Sequence, residues 1–377
     1  VARRLYFVAG EASGDEHGAA LMGLLRSLAP DCEFSGRGGP RMRAIAGDAF
    51  TNWIDAAAIV GLWEVIKHYG YFRQQFAEAL EEIATTKPAA VVLIDYPGFN
   101  LRIARALRRR APDSKIIYYI SPQVWAWNRG RIAHMARYLD LMLCIFPFEA
   151  ELYNASGLRT IFVGHPMIEN LAKRRTGQAR DPDLIGLFPG SRTREVKKIL
   201  PILLETAREI VTRRPATRFE IAAASAALAP EIETRVREFT LRDRVRVVTA
   251  DSAGLMQRAF AGIVASGTAT LESAYFRMPF VLVYKVSWPT YLAGRLLIRT
   301  RFVGMPNVLA DREVAPEFLQ HEARPNPIAK SVLELMNVSP RREQMIADFD
   351  GIIARLGETG ASEKAARAIL SELGQKN

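Results

Sequence analysis

Cysteine is nearly absent: Cys32 and Cys144 are the only two in 377 residues. Isolated as they are, they exclude a disulfide framework and a thiolate zinc site. Histidine is scarce, five in all, and His165 in Gly164-His165-Pro166-Met167 reads as a hinge or cleft wall rather than a metal ligand. No uncharged stretch reaches the roughly 20 residues that a membrane-spanning helix needs. Residues 1–10 are too short, and too soon interrupted by Glu11, for a secretory signal. These absences predict a cytoplasmic globular protein. Two nucleotide motifs are missing too, the G-x-G-x-x-G turn and the Walker lysine spacing. A D-x-D metal motif matches twice, at Asp181-Pro182-Asp183 and Asp348-Phe349-Asp350. The first falls in a polar connecting stretch and the second in an apolar-periodic helix, so no metal and no cofactor are expected.

What the chain does have is apolar substance, 49% hydrophobic residues, and a formal net charge of +11. The length suffices for two cores. Basic residues are scattered among helices, with no basic tail or nucleic-acid reader module. A phosphorylated ligand on an anionic membrane leaflet accounts for the charge as well as nucleic acid does. Strand-like runs at 5–9, 32–34, 91–94, 116–120, 141–146 and 160–163, and again at 185–188, 219–222, 245–248, 262–265 and 280–284, alternate with amphipathic stretches. That alternation predicts parallel sheets covered by helices. The polar, basic, unpatterned stretch from Lys173 to Pro182 divides them. We therefore expect an α/β chain of two wound, Rossmann-like domains, at 1–172 and 184–345. A linker at 173–183 would join them, and a helical tail at 346–377 would follow.

In a wound sheet, ligands bind beyond the carboxyl ends of the strands, and the candidate chemistry lies in the turns found there. Ala9-Gly10-Glu11-Ala12-Ser13-Gly14-Asp15 opens a helix that Ser13 or Asp15 can cap, and Gly36-Arg37-Gly38-Gly39-Pro40 reads as a second such turn. Asp95 ends the buried run 91–94, where partial desolvation suits a general base; a helix cap is the plainer use. Ser121-Pro122-Gln123-Val124-Trp125-Ala126-Trp127-Asn128-Arg129 sets flat indoles beside cations, suited to a sugar face or acyl chain and to phosphate; by residue type the indoles serve equally well as interdomain core. Phe188-Pro189-Gly190-Ser191-Arg192 joins a strand to a helix start that attracts anions, and Arg192 can neutralise a departing diphosphate. Ser266-Gly267-Thr268 makes another tight turn, with Glu272 about one helical turn on. Asn307, in Gly304-Met305-Pro306-Asn307, is a turn residue by type.

Taken together, these segments resemble bacterial lipid-A-disaccharide synthases, from Gly10 to about Ala310 and in the family's order, Pro122-Gln123-Val124-Trp125-Ala126-Trp127 being the most distinctive. The resemblance implies the GT-B glycosyltransferase fold, two domains facing a cleft. It implies Glu11 and Asp95 in catalysis, with Asp95 the base, and Arg192 as an essential arginine. UDP-sugar contacts fall to Gly190, Ser191, Arg192, Ser266, Gly267, Thr268, Glu272 and Asn307. Acceptor and lipid contacts fall to Gln123, Trp125, Trp127 and Arg129. Leucine is commoner in the family where Met305 stands, and the stretch 170–184 is shorter than usual.

The aromatic segment 59–72 carries Leu62, Val65, Ile66 and Tyr69 at helical spacing, continued by Phe76, with Trp63 on another face. Such a helix can pack inward or lie in a membrane interface, and the resemblance favours lipid contact. A second membrane candidate is 291–302, with three arginines. The expected reaction moves a diacylglucosamine unit from UDP to diacylglucosamine 1-phosphate at the cytoplasmic face of the inner membrane, without nucleic acid. The resemblance further implies a homodimer exchanging C-terminal segments. Another UDP-sugar GT-B enzyme, a lipid glycosyltransferase or an epimerase-like one, is the alternative. A non-catalytic nucleic-acid or membrane binder is the more distant rival.

Overall fold

The structure, a computed structural model, describes residues 3–54, 69–127, 130–239, 242–288, 291 and 300–374. The chain divides into two compact units, residues 1–169 with 356–377, and residues 170–355.

Among the described residues, unit 1 holds a parallel seven-stranded sheet in the order β3-β2-β1-β4-β5-β6-β7. Its strands are β1 (Arg3–Ala9), β2 (Cys32–Gly38), β3 (Phe50–Asn52), β4 (Ala90–Ile94), β5 (Lys115–Tyr119), β6 (Leu141–Cys144) and β7 (Thr160–Phe162). The helices named here are α1 (Ala12–Leu28), α2 (Pro40–Ala46), α3 (Tyr69–Thr86), α4 (Pro97–Arg110) and α5 (Pro147–Asn154). β4 is buried at every residue. A strand covered on both faces needs no polar alternation, which is why 91–94 reads as an unbroken apolar run. Each such fully buried aliphatic side chain stabilises the fold by about 1.5–3 kcal/mol.

Unit 2 repeats the plan in a six-stranded parallel sheet, β10-β9-β8-β11-β12-β13. The strands are β8 (Asp181–Phe188), β9 (Arg218–Ala223), β10 (Val245–Thr249), β11 (Ala259–Ala265), β12 (Phe280–Tyr284) and β13 (Glu317–Leu319). Its principal helices are α6 (Thr193–Arg213), α7 (Ser252–Arg258), α8 (Thr268–Tyr275), α9 (Met305–Ala310), α10 (Pro325–Leu335) and α11 (Pro340–Arg355). Each sheet reverses strand order between its first and fourth strands, β1/β4 and β8/β11. That reversal opens the crevice where nucleotide-binding sheets hold their ligands.

Several expectations are corrected here. Residues 173–183 are not a free linker. Gln257 accepts from the Thr176 amide at 2.7 Å and donates to the Arg174 carbonyl at 2.9 Å, Arg180 donates to three carbonyls, and β8 starts at Asp181. The tail does not leave unit 2 at 346: α11 belongs to unit 2 as far as Arg355, and α12 (Ala361–Gly374) packs on α1. Gly36-Arg37-Gly38 is strand rather than turn. Asp15 does not cap its own helix. Its buried carboxylate accepts from the amides of Gly39, Arg41 and Met42 at 2.9–3.0 Å, capping α2. A Cβ on Gly39 would lie 2.5 Å from that carboxylate, so this glycine makes room for the cap.

The acids of both D-x-D matches are engaged in ion pairs: Asp181 with Arg218, Asp183 with Arg214, Asp348 with Arg312 and Asp350 with Arg277. No group of three or more His, Cys, Asp or Glu that could hold a metal occurs among the described residues. None of the described helices is long and apolar enough to cross a membrane.

Candidate active site

Registry brings the first constellation together. Ala9 pairs with Ile94 and Ile94 with Tyr119, so Gly10-Glu11, Asp95-Tyr96 and Ile120 leave the carboxyl edge of three adjacent strands side by side. The backbone is strained there: Asp95, Tyr96 and Ile120 have φ of 43°, 47° and 65°, a left-handed region that side-chain-bearing residues rarely occupy. Such conformations persist where the surroundings over-determine them, and they concentrate at functional sites. Here the surroundings are specific. The Asp95 amide donates to the Tyr119 carbonyl at 2.9 Å. Its carbonyl accepts from Asn100 Nδ2 at 2.8 Å and from the Tyr118 hydroxyl, both residues being fully buried. Gly10 is obligatory beside them, because a Cβ would lie 2.3–2.6 Å from the Tyr96 ring.

Held this way, the Asp95 carboxyl is pushed up to about 6, first by burial and then by the charge of Glu11. Glu11 itself is exposed at the N-terminal end of α1. A carboxylate whose affinity for a proton is raised toward neutrality is suited to general-base work. Adjoining Tyr96 is a pocket of about 540 Å³ walled by Phe72, Phe76 and Phe99, with Arg73 and Arg102 also lining it.

For Trp125 the structure favours the buried alternative. Trp125 is buried, and its indole N–H donates to Glu149 Oε1 at 2.8 Å. Ser121 Oγ and the Phe146 amide donate to Oε2 of the same carboxylate, at 2.5 and 3.2 Å. Burial pushes Glu149 up to about 7 against these bonds. Trp125 therefore fastens the loop to α5, and Glu149, which the sequence did not single out, is the fastening. Gln123 is exposed beside it. Arg129, Leu62, Trp63, Val65 and Ile66 lie outside the described residues, as do the side chains of Trp127 and Tyr69 and most of 291–302.

Unit 2 offers the matching turns at its own reversal. Phe188 pairs with Val264, so 189–192 and 266–268 emerge together. A cavity of about 390 Å³ lies there, lined by Gly190, Ser191, Ser266, Gly267, Thr268, Glu272 and Arg174 among others. Gly190 and Gly267 have φ of 110° and 146°. A Cβ on Gly267 would meet nothing within 4 Å, so the space over this turn is open to a ligand. α6 and α8 both start at this edge without a side-chain cap, leaving amide donors and positive dipole ends for an anion. Ser266 and Thr268 therefore do not cap α8. Burial raises the Glu272 carboxyl while the Arg174 charge opposes the rise. Arg192 is largely exposed and pairs with Glu195 at 3.3 Å.

Asn307 is the clearest departure from expectation. Its Nδ2 donates to the Ala315 carbonyl and Glu317 Oε1 at 2.7 and 2.8 Å, and its Oδ1 accepts from the Val314 and Ala315 amides at 2.7 and 2.9 Å. An asparagine has two donors and two lone pairs. All are used to tie α9 to the strand that follows, so the side chain is a tie rather than a donor-sugar contact.

Two Rossmann-ordered sheets, one with an anion-ready, glycine-turned cavity, define a wound α/β protein of the nucleotide-binding class. Solved structures share this fold. S. aureus MnaA, solved with UDP, has a TM-score of 0.65 at 11% identity, covering 98% of this chain and 97% of its own. The calicheamicin glycosyltransferase CalG4 has 0.59 at 14%, covering 99% and 98%. Such identities carry the fold alone. Sequence relatives go further. A protein from Myxococcus xanthus is 36% identical over 383 residues, 98% of this chain and 97% of its own. One from Geobacter sulfurreducens is 37% identical over 389, 99% and 98%. Both are lipid-A-disaccharide synthases, and the family model described as lipid-A-disaccharide synthetase matches residues 5–370. The chain belongs to this family and is a UDP-sugar-dependent glycosyltransferase of lipid A synthesis.

Proposed function

We propose that the protein transfers 2,3-diacylglucosamine from its UDP conjugate to 2,3-diacylglucosamine 1-phosphate, with Asp95 as general base and unit 2 as the nucleotide holder. The acceptor's primary hydroxyl oxygen bonds to the anomeric carbon as its proton passes to Asp95. The bond from that carbon to the diphosphate breaks, and its electron pair leaves with UDP. Attack from the face opposite the nucleotide inverts the configuration and yields the β-1,6 linkage. The observation that carries this reading is Asp95 itself, a carboxylate raised to about 6 at a clamped, left-handed bend.

In unit 2 the starts of α6 and α8 receive the diphosphate, Glu272 takes ribose hydroxyls, and Arg192 turns from Glu195 to the charge that grows on the leaving group. In unit 1 the aromatic pocket beside Tyr96 takes acyl chain, worth about 0.8 kcal/mol per buried CH₂. Lipid substrates place the enzyme at the cytoplasmic leaflet of the inner membrane, where the net charge of +11 favours anionic headgroups.

The test offers the purified protein UDP-N-acetylglucosamine or its diacylated form, each with the acylated acceptor. UDP release and a disaccharide only from the diacylated donor are expected. Turnover of the unacylated nucleotide alone would show an epimerase-like or other transferase chemistry instead.

A further inference from the structure

Beyond Arg174, which faces the nucleotide cavity, the basic stretch continues through Arg175, Gly177, Gln178 and Arg180 to form one wall of a second cavity in unit 2, of about 400 Å³. It lies before β8 and β11 begin and beyond the end of α8, at the amino edge of the sheet, whereas the nucleotide cavity lies at the carboxyl edge. Its charged lining residues are all of one sign: Arg175, Arg180, Arg277 and Arg342, with no carboxylate among the lining residues. Arg342 is 5% exposed. It donates to the carbonyls of Phe260 and Leu335 at 2.9 and 2.7 Å and lies 3.7 Å from the Phe260 ring centroid. Arg180 donates to the carbonyls of Met256, Ala259 and Phe276.

Carbonyl oxygens orient these two guanidiniums but do not neutralise them, and no salt bridge occurs at Arg175, Arg180 or Arg342 among the described residues. Arg277 alone has an acid, Asp350, at 3.0 Å. Arg277 also holds a left-handed backbone, φ 55°, at the end of α8. Burial pushes both Arg180 and Arg342 down to about 10, and Arg180 is lowered further by the charges of Arg342 and Arg277. Desolvated like charges with no counter-charge are costly unless something anionic completes them.

We propose that this cavity is a second, non-catalytic site for a phosphate-type oxyanion, either a free di- or monophosphate or a phosphate headgroup. Guanidiniums present paired donors that match phosphate oxygens. Arg180 and Arg342 form the fixed floor, and the more exposed Arg175 and Arg277 close over the anion. The inference is independent of the transfer mechanism.

The test is calorimetric titration of inorganic pyrophosphate into the full chain, with and without excess UDP, for the parent and for Arg175→Gln/Arg277→Gln. A parallel arm measures co-sedimentation with phosphatidylcholine vesicles, with or without phosphatidic acid. Pyrophosphate binding that persists under UDP and weakens at least tenfold in the double variant identifies a site for free phosphate. Loss confined to the phosphatidic acid arm identifies a headgroup site. Equal binding by parent and double variant in both arms overturns the proposal. UDP affinity, measured on the same samples, stays within twofold in the variant and shows that unit 2 remains folded.

Discussion

At Asp95 two unfavourable conditions coincide, a left-handed backbone and a carboxylate drawn from water beside another acid. A base works only when ionised, so turnover should rise through about pH 6 and level off above it. Removing the Glu11 charge should let Asp95 ionise at lower pH. The acid limb of kcat/KM in Glu11→Gln should therefore move down; an unmoved limb would detach Asp95 from the rate. The stability sign is the reverse. The folded state binds this proton more tightly than the unfolded chain, so stability falls as pH rises from the ordinary carboxyl range through about 6. Asp95→Asn should thus be no less stable than the parent at pH 8 by urea denaturation. Glu149→Ala, by contrast, orphans the buried donors of Ser121 and Trp125, at about 1–3 kcal/mol each, and should lower the urea midpoint at neutral pH.

The strand-to-helix turns decide what each sheet can hold. At Gly10 a Cβ would strike Tyr96, so Gly10→Ala should depress turnover tenfold or more with UDP affinity unchanged. At Gly267 the space is open but φ is 146°. Gly267→Ala should weaken UDP at least tenfold in a titration by re-aiming the turn, and parent-like affinity would mean the diphosphate lies elsewhere. These turns were legible in the sequence because small residues after β-branched runs have few other uses. β3 and β13 were not: three residues at a sheet edge are too few to establish a period. Nor were the partners of polar motif residues. Asp15, Trp125 and Asn307 sit in motifs, yet the first two side chains are spent on partners 24 residues away and the third on a short loop folding back, and sequence spacing does not report that. Only Asn100, inside Tyr96-Pro97-Gly98-Phe99-Asn100, carried a signal that could have marked it as the clamp on Asp95.

Across the whole molecule, the alternation of strands and helices sufficed to give two wound sheets, because parallel strands connected by helices have few other arrangements. The exact handover of the chain did not follow: α11 stays with unit 2 and α12 with unit 1, since both helices are amphipathic and either sheet could accept them. The proposed function divides labour between the units, proton transfer in the first and nucleotide binding in the second. Steady-state turnover of the diacylated substrates, set against UDP affinity by calorimetry for Asp95→Asn, tests that division most directly. We expect turnover to fall about 10²–10⁴-fold while UDP binds within twofold of the parent. Turnover within tenfold of the parent, or UDP affinity lost in proportion, would contradict it.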